Sequence, residues 1–134
     1  MRRLIAFTFI ATLASSLSAQ PVMGNAEEGE WRYVSNLSMS EAIFADGALS
    51  LRCEKARGLV SLTVNPAMGM TLNLMTDQGR VSIGNGQQLP ARLTALDNLA
   101  FARGKFAIED NVSGQNRIFP WDSAVARSIE DCRI

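Results

Sequence analysis

The chain contains no histidine, which removes the Ser-His-Asp and Cys-His nucleophile systems and the usual zinc and iron ligand sets. Carboxylates are the remaining acid–base chemistry, and the densest group lies close to aromatic residues at Glu109-Asp110 and Asp122. Two carboxylates flanking a groove can act as acid and base on a glycosidic bond. Neighbours on a strand point to opposite faces, however, so Glu109 and Asp110 pair only if the strand has already ended. A solvated strand end is the expectation, and no catalytic residue is assigned. Serine activated by lysine is the other histidine-free option, but Ser50 with Lys55 and Ser113 with Lys105 match no recognisable spacing. The stretch Gly84-Asn85-Gly86-Gln87-Gln88-Leu89 carries two of the three glycines of a dinucleotide fingerprint, with Leu89 in the third place and Pro90 after it. A type I′ hairpin turn at Asn85-Gly86 is the expected use of those residues. No run of spaced acids around a glycine offers a calcium loop. No metal site or cofactor is expected.

The only two cysteines, Cys53 and Cys132, are predicted to form one disulfide, because the leader described below directs the chain to an oxidising compartment. A redox pair wants Cys-x-x-Cys spacing and a thiolate nucleophile wants a histidine; the chain has neither. The two residues lie 79 positions apart, and closing so long a loop contributes roughly 4 kcal/mol in the chain-entropy view.

The elements that must position these residues are mostly strands. Period-two alternation runs through Ala42-Ile43-Phe44, Leu49-Ser50-Leu51-Arg52-Cys53, Val60-Ser61-Leu62-Thr63-Val64, Leu72-Asn73-Leu74 and Val81-Ser82-Ile83, the signature of strands with one buried face. Turn chemistry separates them at Asp46-Gly47, Arg57-Gly58, Asn65-Pro66, Asp77-Gln78-Gly79 and Asn85-Gly86. In the second segment Leu49, Leu51 and Cys53 share a face, so Cys53 points inward. Apolar spacing nearer three to four predicts a short helix within 94–103, capped by Gly104. Strands return at Lys105–Glu109 and Arg117–Phe119. Pro120 and Asp122-Ser123 then start a C-terminal helix whose buried stripe, Val125, Ile129 and Cys132, delivers the second cysteine to the sheet. The predicted fold is mainly β: an antiparallel β-sandwich of about seven to eight short strands with a C-terminal α-helix.

Trp31 and Trp121 are the candidate partner-binding residues, each with an alternative packing role. Met68, Met70 and Met75 are expected to fill core space at strand spacing. The sequons Asn36-Leu37-Ser38 and Asn111-Val112-Ser113 are expected to stay unmodified, since the leader has a bacterial character.

Residues 1–19 read as a secretory signal peptide: Met1-Arg2-Arg3, an apolar run from Leu4 to Leu17, then small residues ending at Ala19. The run falls short of the ~20 residues that cross a bilayer. Cleavage after Ala19 leaves no membrane span and about 115 residues, one domain. Within it, residues 20–30 form a flexible leader and residues 31–134 a single β-rich domain. Losing Arg2 and Arg3 leaves 11 basic against 13 acidic residues, dispersed along the chain, so no footprint for nucleic acid exists.

Trp31, Ser38-Met39-Ser40-Glu41 leading into Ala42-Ile43-Phe44, Leu49-Ser50-Leu51-Arg52-Cys53 before Leu59-Val60-Ser61-Leu62, and Ile118-Phe119 through Cys132 together give the chain a likeness. It resembles small bacterial periplasmic β-sandwich proteins similar to the type VI secretion accessory protein TagO. The resemblance implies a β-sandwich without catalytic machinery that acts by contact in the cell envelope, and it assigns a role to no single residue. The expectation is therefore an exported, non-catalytic binding or accessory protein, periplasmic or secreted, with an envelope protein as partner. Two alternatives stand beside it. One is an inhibitor of a periplasmic hydrolase, in the style of lysozyme inhibitors, presenting the loop Asn111-Val112-Ser113-Gly114-Gln115. The other is a carboxylate-based glycan hydrolase.

Overall fold

A computed structural model describes residues 22–66 and 68–133; residues 1–19, expected to be a signal peptide, lie outside them. Among the described residues nine strands form two antiparallel sheets. The first sheet has the order β1-β2-β3-β4-β7, with β1 at Trp31–Ser35, β2 at Met39–Phe44, β3 at Leu49–Glu54, β4 at Leu59–Val64 and β7 at Gln88–Pro90. The second has the order β6-β5-β8-β9, with β5 at Thr71–Thr76, β6 at Gly79–Gly84, β8 at Lys105–Asp110 and β9 at Asn116–Pro120. Helix α1 spans Thr94–Ala100 and helix α2 spans Ser123–Glu130. The fold is the expected β-sandwich with a C-terminal helix.

Alternation explains the core. On β3, Leu49, Leu51 and Cys53 are buried while Arg52 between them is exposed, and the register carries the inward row across Ala42, Leu51 and Leu62. These side chains meet Leu72, Leu74, Phe106, Ile108 and Phe119 of the second sheet. At the centre, Phe44 stands edge-on to Phe119 with ring centroids 5.7 Å apart, a favoured arrangement of ring quadrupoles.

Helix α2 starts where the sequence places its cap: the Asp122 carboxylate accepts from Ala124 N–H at 2.9 Å, satisfying one donor that the helix cannot use. Val125 and Ile129 are buried, and one turn later Cys132 joins Cys53 in a disulfide with a Cα–Cα distance of 5.7 Å. The bond is shielded, with neither cysteine more than 2% exposed.

Three expectations need correction. The strand count exceeds seven to eight because β7 is only three residues long, buries Leu89 alone and ends on Pro90, too little for a period to show. Helix α1 ends at Ala100, where Phe101 leaves the helical region; Gly104, at φ 76°, serves the entry to β8 instead. Asn85-Gly86 is not a type I′ hairpin. Only Gly86 has positive φ, at 76°, whereas type I′ requires it at both central positions. The turn links β6 of one sheet to β7 of the other, and it is bolted to β4 by Gly86 N–H donating to the Leu62 carbonyl at 2.8 Å.

Candidate binding surface

The three carboxylates are not brought together. Lys105 pairs with Pro120 at one end of β8–β9 and Glu109 pairs with Asn116 at the other, so Asp122 and the Glu109-Asp110 step stand roughly 16 Å apart along the strands. Glu109 faces outward, where it accepts from Arg80 Nη2 at 2.5 Å and from Asn73 Nδ2 at 3.1 Å. Asn73 also donates to Asn111 and accepts from Ser82, so this outer patch is a closed network. Asp110 turns the other way. Its carboxylate accepts from Val112 N–H at 2.9 Å, and that backbone bond holds its pKa below the ordinary value of 3.8 against the opposing effect of burial. Asp110 thereby organises the 111–115 loop. Asp122 is committed as the α2 cap.

The two lysines considered as serine activators are engaged elsewhere. Lys55 Nζ donates to Ser35 Oγ at 2.9 Å and to the Asn36 carbonyl at 2.6 Å, closing the β1–β2 hairpin. Lys105 Nζ donates to the Gly24 carbonyl, while Ser113 Oγ accepts from Gln115 N–H.

Trp31 and Trp121 sit at one corner and are both half-buried against the core. The Trp31 ring lies 5.4 Å from Phe44 and its indole N–H donates to the Pro120 carbonyl at 2.7 Å. The Trp121 indole N–H donates to the Leu99 carbonyl at 2.9 Å. Buried indole N–H groups usually find such partners. Met70, expected in the core, is 89% exposed, because it precedes β5 rather than lying on its inward face.

Beside Trp31 an open cavity of about 520 Å³ is lined by Gly29, Glu30, Trp31, Arg32, Ile43, Ala45 and Asp46. Its wall is the β2–β3 turn, where Ala45 and Asp46 both lie in the left-handed region at φ 47° and 58°. Aspartate tolerates this region, but alanine gains nothing there to offset a cost of about 1 kcal/mol. The turn is fixed by Ala45 N–H donating to the Glu30 carbonyl at 3.1 Å. It is also clamped by Gly29, where a β-carbon would come within 2.8 Å of the Ala45 methyl. Sequence reasoning flagged Asp46-Gly47 as a turn and had no signal for the strain at Ala45.

The four outer strands differ in how their edges are treated. Along β9, Glu27 N–H donates to the Ile118 carbonyl at 2.8 Å, and the Glu27 carboxylate forks onto Arg117 at 2.7 and 2.8 Å. This ties the irregular stretch before β1, expected to be flexible, along that edge. The short β7 ends on proline, and β6 carries Arg80 and has its Gly84 end closed by Gln87. Strand β1 carries one charge, Arg32, as β6 carries Arg80, but it has no overlying stretch and no closed end: among the described residues it pairs with β2 alone. Glu30 and Asn36 bond to β2's chain at either end of the register, so the even-numbered residues face β2. The N–H and C=O groups of Trp31, Tyr33 and Ser35 therefore point away from the sheet.

Comparison with known protein families, curated proteins and solved structures returned no match. Among the described residues no helix is long and apolar enough to cross a membrane.

Proposed function

We propose that the protein is an exported, non-catalytic accessory module of the bacterial envelope, periplasmic or secreted, that binds a protein partner at the corner formed by Trp31 and the Ala45-Asp46 turn. The reading is in the manner of the TagO-like accessory proteins that the sequence resembles. The observation that carries it is the cavity of about 520 Å³ walled by two left-handed non-glycine residues, since strain of this kind collects at recognition sites. Glu30, Arg32 and Asp46 give the lining both charges beside Trp31 and Ile43, suiting the polar contacts of a protein interface. Support also comes from Glu109, Asp110 and Asp122, each of which makes a local architectural bond.

A photo-crosslinking residue at Asp46 in the producing cell tests this, with Gln78 at the β5–β6 turn as control. The expected result is a discrete envelope-protein adduct from position 46 and none from 78, with partner capture unaffected by Glu109→Gln. A hydrolytic activity abolished by Glu109→Gln with folding intact would overturn the reading.

One observation favours the inhibitor alternative. Val112 is 90% exposed at the tip of the loop that Asp110 preorganises, and a rigid loop with an apolar tip suits insertion into an enzyme cleft. Inhibition of a periplasmic glycan hydrolase, lost on Val112→Asp, supports that reading.

A further inference from the structure

Natural sheets blunt their edges, because a row of unpaired backbone donors and acceptors is a template for another strand. Here β9 is overlaid, β7 is short and ends on proline, and β6 is closed at its Gly84 end, whereas β1, with Arg32 as its single charge, is open over five residues among the described residues. Its free groups alternate at Trp31, Tyr33 and Ser35, and this set is symmetric about Tyr33.

We infer that β1 is the self-association edge of the protein, pairing antiparallel with β1 of a second copy about a two-fold axis through Tyr33. The register follows from the alternation. Tyr33 exchanges both its backbone bonds with Tyr33 of the other copy, and Trp31 does so with Ser35 at each end, as an isologous interface requires. Side chains on the two faces fit that register. On the inner face the large Trp31 stands opposite the small, exposed Ser35. On the outer face Arg32 stands opposite Val34, which is 40% exposed. Beyond Val34 the same row continues into Glu41, so each guanidinium extends over an apolar side chain toward a carboxylate. The charge complementarity is met twice, once on each side of the axis. The result is one continuous ten-stranded sheet that carries both copies of the Trp31–Asp46 cavity.

Sedimentation of the purified protein over a concentration series up to the millimolar range tests the inference, with circular dichroism to verify the fold of each variant. The wild type is expected to show a reversible monomer–dimer equilibrium. Ser35→Pro removes an N–H that has no bond to β2 and places a ring on the free edge, where proline leaves the β1–β2 ladder intact; the dimer is expected to disappear. Val34→Lys faces Arg32 of the other copy and weakens the dimer, whereas Val34→Glu strengthens it, with dissociation constants separated roughly tenfold. A monomer at every concentration overturns the inference. So does a dimer that survives Ser35→Pro, or one that responds to the two Val34 substitutions in the same direction. The inference stands apart from the partner contact at the cavity: loss of capture at Asp46 leaves the sedimentation result unchanged, and a monomeric wild type leaves the crosslinking result unchanged.

Discussion

The two edges that flank the Trp31 corner are treated in opposite ways. Strand β9 is overlaid by the stretch before β1, with the Glu27 backbone on Ile118 and the Glu27 carboxylate forked onto an Arg117 side chain that is only 14% exposed. Strand β1, immediately downstream of that same stretch, keeps three residues' worth of backbone bonds unspent among the described residues. The chain thus uses residues 22–30 to seal one edge and then leaves the next one open. Edge protection is selective, and selectivity is what distinguishes a contact surface from an oversight of folding.

The largest test of this contrast concerns what holds the open side rigid. The disulfide fastens the end of α2 beneath β3, two strands from the open edge. Tyr33 is in turn held by its hydroxyl on Asp131 and by Arg127 stacked 4.1 Å over its ring. Replacing both cysteines by alanine should cost roughly 4 kcal/mol in a urea titration. Loss below about 1 kcal/mol would mean that packing alone holds this side.

Uncovering the sealed edge comes next. Glu27→Ala removes a partly exposed fork and strands a half-buried guanidinium, which should lower stability by about 1 kcal/mol. It should also speed hydrogen exchange in β9 and promote aggregation at low salt. Unchanged exchange in β9 would show that the leader stretch is not its cover.

Relief of strain at the corner is smaller and opposite in sign. Ala45→Gly keeps the left-handed turn without the β-carbon clash and should stabilise the protein by about 0.5 kcal/mol, after the entropy of the added glycine is counted. A destabilised variant would mean that the Ala45 methyl contributes packing worth more than the strain.

The smallest effect belongs to the far end of the sandwich. The Asp110 pKa is lowered in the folded state, chiefly by the Val112 N–H, so its contribution is complete above the unfolded value near 3.9 and is lost as pH falls through the lower folded value. Amide shifts of Val112 and Ser113 should therefore move only below about pH 4, with β1 unaffected. A transition near neutral pH would remove Asp110 as the organiser of the loop.

Much of the fold was legible in the sequence because its signals are local. Leu49, Leu51 and Cys53 announce a buried face by alternation, Asp122 announces a helix start by its side-chain chemistry, and two cysteines behind a leader that reads as a signal peptide announce each other. The corner was not legible. Left-handed geometry at Ala45 has no compositional marker, since alanine is an unremarkable choice almost anywhere else. The role of Gly86 depended on whether β6 and β7 share a sheet, and the exposure of β1 depended on sheet order. Both are properties of the assembled topology, which period-two patterns do not encode. Trp31 and Trp121 stand out in the sequence by size, but the partners of their indole N–H groups, Pro120 and Leu99, come from distant segments.

Amide hydrogen exchange of β1, measured by NMR in dilute and in concentrated protein, reads the central claim residue by residue. Arg32 and Val34 should be protected at both concentrations by their bonds to β2. Trp31, Tyr33 and Ser35 should exchange quickly when dilute and slow markedly when concentrated. Slow exchange of those three amides in dilute protein, or fast exchange at every concentration, would contradict an open edge that pairs with a second copy.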